Sequence, residues 1–268
     1  MKLRSARALD GVAWMRSGLR LVQRQPLGLA ALLGIMVFGL GLLLMLPWIG
    51  PLLVSVLLPA LTAGWVHTVE RVQLDARPSP ALLFEPLRSP QRKSLLMLGG
   101  AHALAVMLAL GLADLIDPGL GDLWERLHSA TDDQATADAL QALRGGMVLR
   151  VALLTPVALL FWHAPVLVHR EGAGVAKALF GSTLASLRNL GSFVVYGLSW
   201  LLADLLLSAV LGVLLGALGL PQLALLLAVP VAMLFSAAFY ASLHASVHGC
   251  IDFGDALDQD QTPGNRDA

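Results

Sequence analysis

Residues 192–219 read SFVVYGLSWLLADLLLSAVLGVLLGALG, an apolar run that contains one charged side chain, Asp204. A helix rises about 1.5 Å per residue, so roughly 20 such residues cross the hydrocarbon core of a bilayer, which is about 30 Å thick. Five further runs meet this criterion: residues 27–47, 50–70, 94–116, 146–168 and 221–246. With 57% hydrophobic and 13% charged residues, the sequence predicts an all-α membrane protein with six transmembrane helices.

The basic residues are divided unequally between the two ends of these spans. Fifteen of the 18 Lys and Arg residues fall in residues 1–26, 71–93 and 169–191 and in the tail, whereas the long loop at 117–145 is mainly acidic. Because Lys and Arg near span ends resist translocation, we expect a multi-pass protein of the bacterial inner membrane with cytoplasmic termini and a periplasmic loop. Its basic side favours membrane lipids with anionic headgroups as partners, and not nucleic acid.

An amphipathic segment precedes each pair of spans. Residues 1–26 carry apolar side chains at helical spacing, with arginines every four residues on a neighbouring face. Shorter segments of this kind lie at 81–88 and 175–190. We interpret them as cytoplasmic elbow helices in the interface, each followed by a helical hairpin, in an internal threefold repeat. The expected headgroup contacts are Arg16, Arg20, Arg24, Arg92, Lys93 and Arg188.

The two ends of the chain carry fewer signals. No cleavable signal peptide is evident, so the first span is expected to act as the insertion signal. Residues 248–268 are predicted to form a disordered acidic cytoplasmic tail, because few of them are apolar. Cys250 is the single cysteine, which excludes a disulfide within the chain.

Asp204 has the most costly position in the sequence, deep in the fifth span. A charged group at that depth costs about 2.5–3.5 kcal/mol on insertion scales, so we expect it to face protein or water. Ser208, Gly212 and Gly216 follow at intervals of four, and small residues at this spacing form a helix-packing seam. Three roles stay open for Asp204: a packing hydrogen bond to another helix, proton or ion handling, and a position with access to water.

Several polar residues fall near the depth of Asp204 or toward the cytoplasm from it. With Asp204 they define a candidate polar cluster, a pocket open to the cytoplasm between spans three, five and six: Tyr240, His102, Ser236 and His244. His244 and His248 share a helix face, but two ligands are too few for a metal site, so we expect none. His67, His163 and His169 are interpreted as headgroup-level residues. Arg150 is expected to reach the membrane surface or pair with Asp114.

Sequence motifs of common enzymes do not occur in the chain. It has neither a GxxxxGK[ST] phosphate-binding loop nor a GxSxG nucleophile elbow, so we expect no catalytic residue and no cofactor.

The chain resembles an uncharacterised family of six-span inner-membrane proteins of proteobacteria. The resemblance covers nearly the whole chain and is carried by Trp14-Met15-Arg16, Arg24-Gln25-Pro26, Ile49-Gly50-Pro51-Leu52, Leu58-Pro59-Ala60-Leu61, Ala81-Leu82-Leu83-Phe84, Phe161-Trp162-His163-Ala164-Pro165, Lys177-Ala178-Leu179-Phe180, Leu187-Arg188-Asn189 and Phe239-Tyr240-Ala241-Ser242. It implies the fold and the location, and no substrate or catalytic residue. More loosely, the layout is similar to the membrane domain attached to some glycerophosphodiester phosphodiesterases, whose catalytic domain is absent here.

These observations favour a structural, lipid-organising or partner-binding membrane protein without enzymatic activity. A homo-oligomer or a complex with another membrane protein would use the seam at Ser208, Gly212 and Gly216. The alternative is a small-molecule or proton-coupled transporter or channel that uses Asp204. An intramembrane enzyme is the third and weakest interpretation.

Overall fold

The computed structural model describes residues 2–119, 122–123, 133–220 and 222–254, most of which are helical. Within these residues, six helices are long and apolar enough to cross a membrane. In chain order the elements are β1 (Lys2–Leu3), α1 (Asp10–Arg24), α2 (Pro26–Leu44), α3 (Gly50–Gln73), α4 (Pro80–Leu83), a 3-10 helix (Glu85–Leu87), α5 (Arg92–Ile116), α6 (Asp133–Phe161), α7 (Ala164–Glu171), α8 (Val175–Arg188), α9 (Leu190–Ala217), α10 (Leu223–Cys250) and β2 (Ile251–Asp252).

The fourth predicted span differs most from the observed helices. Its first part is α6, which begins at Asp133 rather than at residue 146. The helix is then interrupted at Trp162 and His163, and α7 follows. Pro165 explains the interruption, because it has no N–H to donate to the carbonyl of Phe161 and its ring clashes with that carbonyl. The Ser186 hydroxyl of α8 donates to the nearby Leu159 carbonyl at 2.9 Å. Part of the predicted periplasmic loop at 117–145 is therefore helix, and its residues 120–121 and 124–132 lie outside the described residues.

Helix α1 packs against both α9 and α10. A methyl group on Gly11 would overlap the Ser192 carbonyl oxygen, and one on Gly18 would overlap that of Ala238, so these backbones are in direct contact. Trp14, only 4% exposed, lies on the same face of α1 as these two glycines. The face of α1 that carries Gly11, Trp14 and Gly18 therefore packs against protein.

The first residues of the chain form a short antiparallel strand pair with the residues that follow α10. Lys2 pairs with Asp252 and Leu3 with Ile251. A hydrogen bond from the Gly254 N–H, together with the Arg4 guanidinium, holds the pKa of Asp252 below its ordinary value. Helix α10 ends at Cys250 and β2 follows, and both Cys250 and Ile251 are buried. Residues 248–254 therefore differ from the disordered tail predicted for 248–268. The rest of that prediction, residues 255–268, lies outside the described residues.

The spanning helices differ strongly in how much protein surrounds them. Helix α3 is the most buried, since it contacts α2, α4, α5, α7 and α10, whereas α9 is the least buried. The buried residues of α9 are Ser192, Phe193, Tyr196, Trp200 and Leu215, so its N-terminal half carries most of its packing. The C-terminal half of α9 presents most of its surface outward.

Candidate functional site

Polar side chains converge where α3, α7 and α10 end. The last turns of α3 carry His67, Glu70 and Gln73 at intervals of three. His244 and His248 lie one turn apart near the end of α10, and His169 and Arg170 occupy the last turn of α7. The spacings of three and four place the residues of α3 on one face of that helix and the two histidines of α10 on one face of theirs. The side chains form two adjoining groups, and Glu70 of the first group lies beside His67 of the second.

The first group is an ion-pair cluster around Glu70. The Arg170 guanidinium donates to Glu70 Oε1 at 2.7 Å, and its Nη1 lies 3.2 Å from His248 Nε2. His248 Nε2 is also 3.3 Å from Glu70 Oε1. The His248 side chain is fully buried, and those of Arg170 and Glu70 are 19% and 13% exposed. The charge of Glu70 is therefore compensated by a cation with little competition from water.

Further contacts connect this cluster to both ends of the chain. The Phe253 ring lies under the Arg170 guanidinium at 4.4 Å, and Arg4 donates to the His248 carbonyl at 3.3 Å. The His244 ring stacks beside that of His248 with centroids 4.3 Å apart. Gln73 Nε2 lies 3.4 Å from His244 Nδ1, whereas His244 Nε2 is buried and has no hydrogen-bond partner among the described residues.

The second group consists of His67, Glu85 and His169, which we call the His–Glu triad. It joins α3, the 3-10 helix and α7. One potential ligand atom from each residue can be chosen so that all three lie within 4.8 Å of one another. His169 Nε2 is 3.1 Å from Glu85 Oε2, and His67 Nδ1 is 3.9 Å from Glu70 Oε2. The side chains are partly exposed, so solvent reaches the triad.

The predicted polar cluster does not assemble as one site. His244 belongs to the ion-pair cluster, whereas the Tyr240 ring packs on Trp65 with centroids 5.6 Å apart. His102 Nδ1 lies 2.8 Å from the Ser55 carbonyl oxygen. Ser236 is half-buried on α10. No hydrogen bond or ion pair among the described residues joins Asp204 to any of these four side chains.

Asp204 lies on the exposed face of α9, near the middle of the helix. Leu202 and Leu205 beside it are each 57% exposed. Ser208, Gly212 and Gly216 are also exposed, and a methyl group on either glycine would meet no described atom within 4 Å. The seam predicted for helix packing therefore contacts no other helix among the described residues. The count along the span gave the position of Asp204 in the helix but not the direction that its side chain faces.

The residues predicted to contact headgroups share one property. They are all exposed: Arg16, Arg20, Arg24, Arg92, Lys93 and Arg188. Arg150 pairs with Asp114, as one of the two expectations stated. His163, in contrast, is fully buried at the break between α6 and α7, and neither ring nitrogen has a hydrogen-bond partner among the described residues. Its interpretation as a headgroup-level residue was wrong.

Sequence reasoning missed most of the site. Glu70, Arg170 and Glu85 were not singled out, and His67 and His169 were assigned to the headgroup level. The available signal was the pair His67 and Glu70 at a spacing of three on one span, because such a pair shares a helix face. The partners of Glu70 are Arg170 on α7 and His248 on α10, which lie 100 and 178 positions away in the sequence. No local pattern indicates them.

Comparison with known proteins yields one informative match. A probable inner membrane protein of Burkholderia thailandensis is 31% identical over 257 residues, which cover 93% of this chain and 94% of that protein. No family model matches the chain, and no solved structure matches it. The looser similarity to the membrane domain of glycerophosphodiester phosphodiesterases is not shown by these comparisons.

Proposed function

The chain belongs to the family of this Burkholderia inner membrane protein, and on that premise we propose that it is a structural inner-membrane protein that pairs with a second copy of itself. The pairing surface is the outward face of α9 formed by Asp204, Ser208, Gly212 and Gly216, which we call the α9 seam. The observation that carries the proposal is Asp204 itself, exposed among leucines and without a hydrogen bond in the described part of the chain.

The first argument is energetic. A charged side chain in the middle of a spanning helix costs about 2.5–3.5 kcal/mol when it faces lipid. Asp204 lies at the midpoint of Leu190–Ala217, so its short side chain does not reach the headgroup region. Contact with a second protein surface reduces that cost, because a neighbouring helix supplies a hydrogen-bond partner.

The second argument concerns shape. Ser208, Gly212 and Gly216 repeat the spacing at which small residues let two helix backbones approach closely. Nothing in the described part of the chain occupies the space above the two glycines. In a dimer with twofold symmetry the same patch faces itself, so the small residues of one copy meet those of the other. The two Asp204 side chains then approach each other and hydrogen-bond when they share a proton.

Orientation and lipid contact complete the proposal. We place both termini in the cytoplasm, where Arg24, Arg92 and Arg188 stand at or near the starts of α2, α5 and α9 and bind anionic headgroups. The elbow and repeat interpretation draws support from the helix ends, since Gln25 alone separates α1 from α2 and Asn189 alone separates α8 from α9. Basic residues thus flank the first turn of alternate spans.

The other interpretations draw less support. A transporter that uses Asp204 needs a wet path beside that residue, but the neighbours of Asp204 on α9 are exposed leucines. We propose no enzymatic activity.

Cysteine cross-linking in native membranes tests the pairing. With Cys250→Ser as background, Ser208→Cys places a nearly isosteric thiol in the α9 seam. The matched control is Val210→Cys, which is also exposed, at 61%, but on the opposite side of α9. We expect mild oxidation to produce a covalent dimer from Ser208→Cys and little from Val210→Cys. Equal cross-linking of both variants, or of neither, would overturn the proposal.

A further inference from the structure

The His–Glu triad lies outside the proposed pairing surface. Its residues come from three elements, with His67 on α3, Glu85 on the 3-10 helix and His169 on α7. Two imidazoles and a carboxylate are a ligand set that Zn²⁺ accepts. We propose that His67, Glu85 and His169 bind one Zn²⁺ ion, with Glu70 as the fourth ligand.

The spacing of the ligand atoms supports the assignment. Bonds of about 2.0–2.1 Å in a tetrahedral zinc site place neighbouring ligand atoms roughly 3.3–3.5 Å apart. His169 Nε2 and Glu85 Oε2 are 3.1 Å apart, close to that separation. The three ligand atoms of the triad already lie within 4.8 Å of one another. Side-chain shifts of about an ångström would therefore bring them to the spacing of a tetrahedral zinc site.

Missing hydrogen bonds provide an independent observation. Glu85 Oε2 is buried and accepts no hydrogen bond from the described residues, although His169 Nε2 is close to it. His169 Nδ1 is likewise buried without a partner. A buried carboxylate oxygen beside an imidazole nitrogen, with no hydrogen bond between them, is the arrangement that a cation between the two would satisfy.

Glu70 is held in the direction that a fourth ligand requires. Its Oε1 accepts from Arg170 at 2.7 Å, which leaves Oε2 directed toward His67 Nδ1, 3.9 Å away. A cation that fixes one oxygen of a ligating carboxylate is an outer-shell contact of the kind that supports metal sites.

A competing set of ligands lies next to the triad, but the Arg170 guanidinium already binds its members. Glu70, His244 and His248 also lie close enough to hold an ion. In that set, however, Arg170 Nη1 is 2.7 Å from Glu70 Oε1 and 3.2 Å from His248 Nε2. The guanidinium thus occupies the position between Glu70 and His248 that an ion would take. The ion therefore belongs to the triad.

The test uses the full chain in nanodiscs, with any affinity tag removed because tags bind zinc. The protein is first stripped of metal with a chelator, and Zn²⁺ binding is then measured by titration calorimetry. The zinc that the reloaded protein retains is measured by elemental mass spectrometry. We expect one ion per chain in the wild type. His67→Gln and His169→Gln each weaken binding by about 100-fold or more, beyond the ~10- to 100-fold cost of losing an outer-shell partner.

His244→Gln is the matched control, since it removes a histidine of the competing set and leaves the triad intact; we expect it to retain the ion. Glu85→Gln, on a short and partly exposed helix, replaces any histidine variant that fails to fold, and size-exclusion profiles check each protein. Absence of zinc binding to the wild type would overturn the proposal. So would binding that survives both triad variants or is lost in His244→Gln.

Discussion

The carboxyl group of Asp204 lies at the midpoint of α9, between leucines that are more than half exposed. Replacing it with Leu removes an acid from the outer surface and also removes the hydrogen bond proposed between two copies. We expect Asp204→Leu to insert more efficiently but to self-associate about 3- to 20-fold more weakly, from the ~0.6–1.7 kcal/mol of an interhelical hydrogen bond. Energy transfer between labelled copies in liposomes, at increasing lipid dilution, measures the association. Asp204→Asn keeps hydrogen-bonding groups and serves as the control. An unchanged dissociation constant for Asp204→Leu would contradict the prediction.

Arg170 is the second residue with a large expected effect. Its guanidinium neutralises Glu70, and both side chains are mostly buried. Removing one partner of a buried ion pair leaves an uncompensated charge, which typically costs about 3–5 kcal/mol. We expect Arg170→Ala to lower the free energy of unfolding by an amount of that order. Unfolding in mixed micelles containing chelator measures it, with the exposed Arg71→Ala as the control. Equal stabilities of the two variants would show that the cluster is not an internal ion pair.

At the residue scale, the sequence predicted the position of a side chain along its helix better than the residues that it contacts. The count from the span end placed Asp204 near the middle of the fifth span, and it lies near the middle of α9. The direction of a side chain around the helix axis depends on the neighbouring helices. Helices α9 and α10 are apolar on nearly every side, so their periodicity does not identify a buried face. For that reason Asp204 was grouped with Tyr240, whereas the structure separates them.

Helix α1 shows what one element adds to the fold. A methyl group at Gly18 would overlap the Ala238 carbonyl and touch Ser242. Overpacking of this kind costs about 1–3 kcal/mol, so we expect Gly18→Ala to destabilise the protein and to loosen α1. Gly100→Ala on α5 is the control, because its methyl group would meet no described atom within 4 Å. That change should be neutral or stabilising by up to about 1 kcal/mol. Thermal unfolding followed by circular dichroism compares the two variants. The prediction fails if Gly18→Ala is as stable as Gly100→Ala.

The amphipathic pattern of α1 was visible in the sequence, but its environment was not. An interfacial helix and a helix packed against two others share the same apolar stripe and the same exposed arginines. Gly11 and Gly18, on the face of α1 beside that stripe, were the distinguishing signal, since bare backbone is needed for close contact with protein and not with lipid. The interruption at His163 was also predictable in principle from Pro165, because proline removes a helix hydrogen bond.

At the scale of the whole molecule, hydropathy alone identified six spanning helices, because the bilayer dictates their length and composition. The packing order of those helices followed from no single-sequence pattern. The ion-pair cluster depends on that order, as it joins α3, α7 and α10.

Orientation in the membrane is a separate prediction at this scale. The distribution of Lys and Arg favours cytoplasmic termini. We expect a green fluorescent protein fused after residue 268 to fluoresce in bacterial cells, and alkaline phosphatase fused there to be inactive. Alkaline phosphatase fused within residues 117–132 should be active. The reverse pattern would contradict the proposed topology.

Native mass spectrometry of the protein released from lipid nanodiscs tests the central claim most directly. We predict that the wild type appears at twice the 28.3 kDa of one chain. Gly212→Leu should appear mainly at the mass of one chain, because its side chain fills the space that the second helix requires, whereas Val210→Leu should remain dimeric. A wild type that appears as a monomer with its lipids retained would contradict pairing through α9.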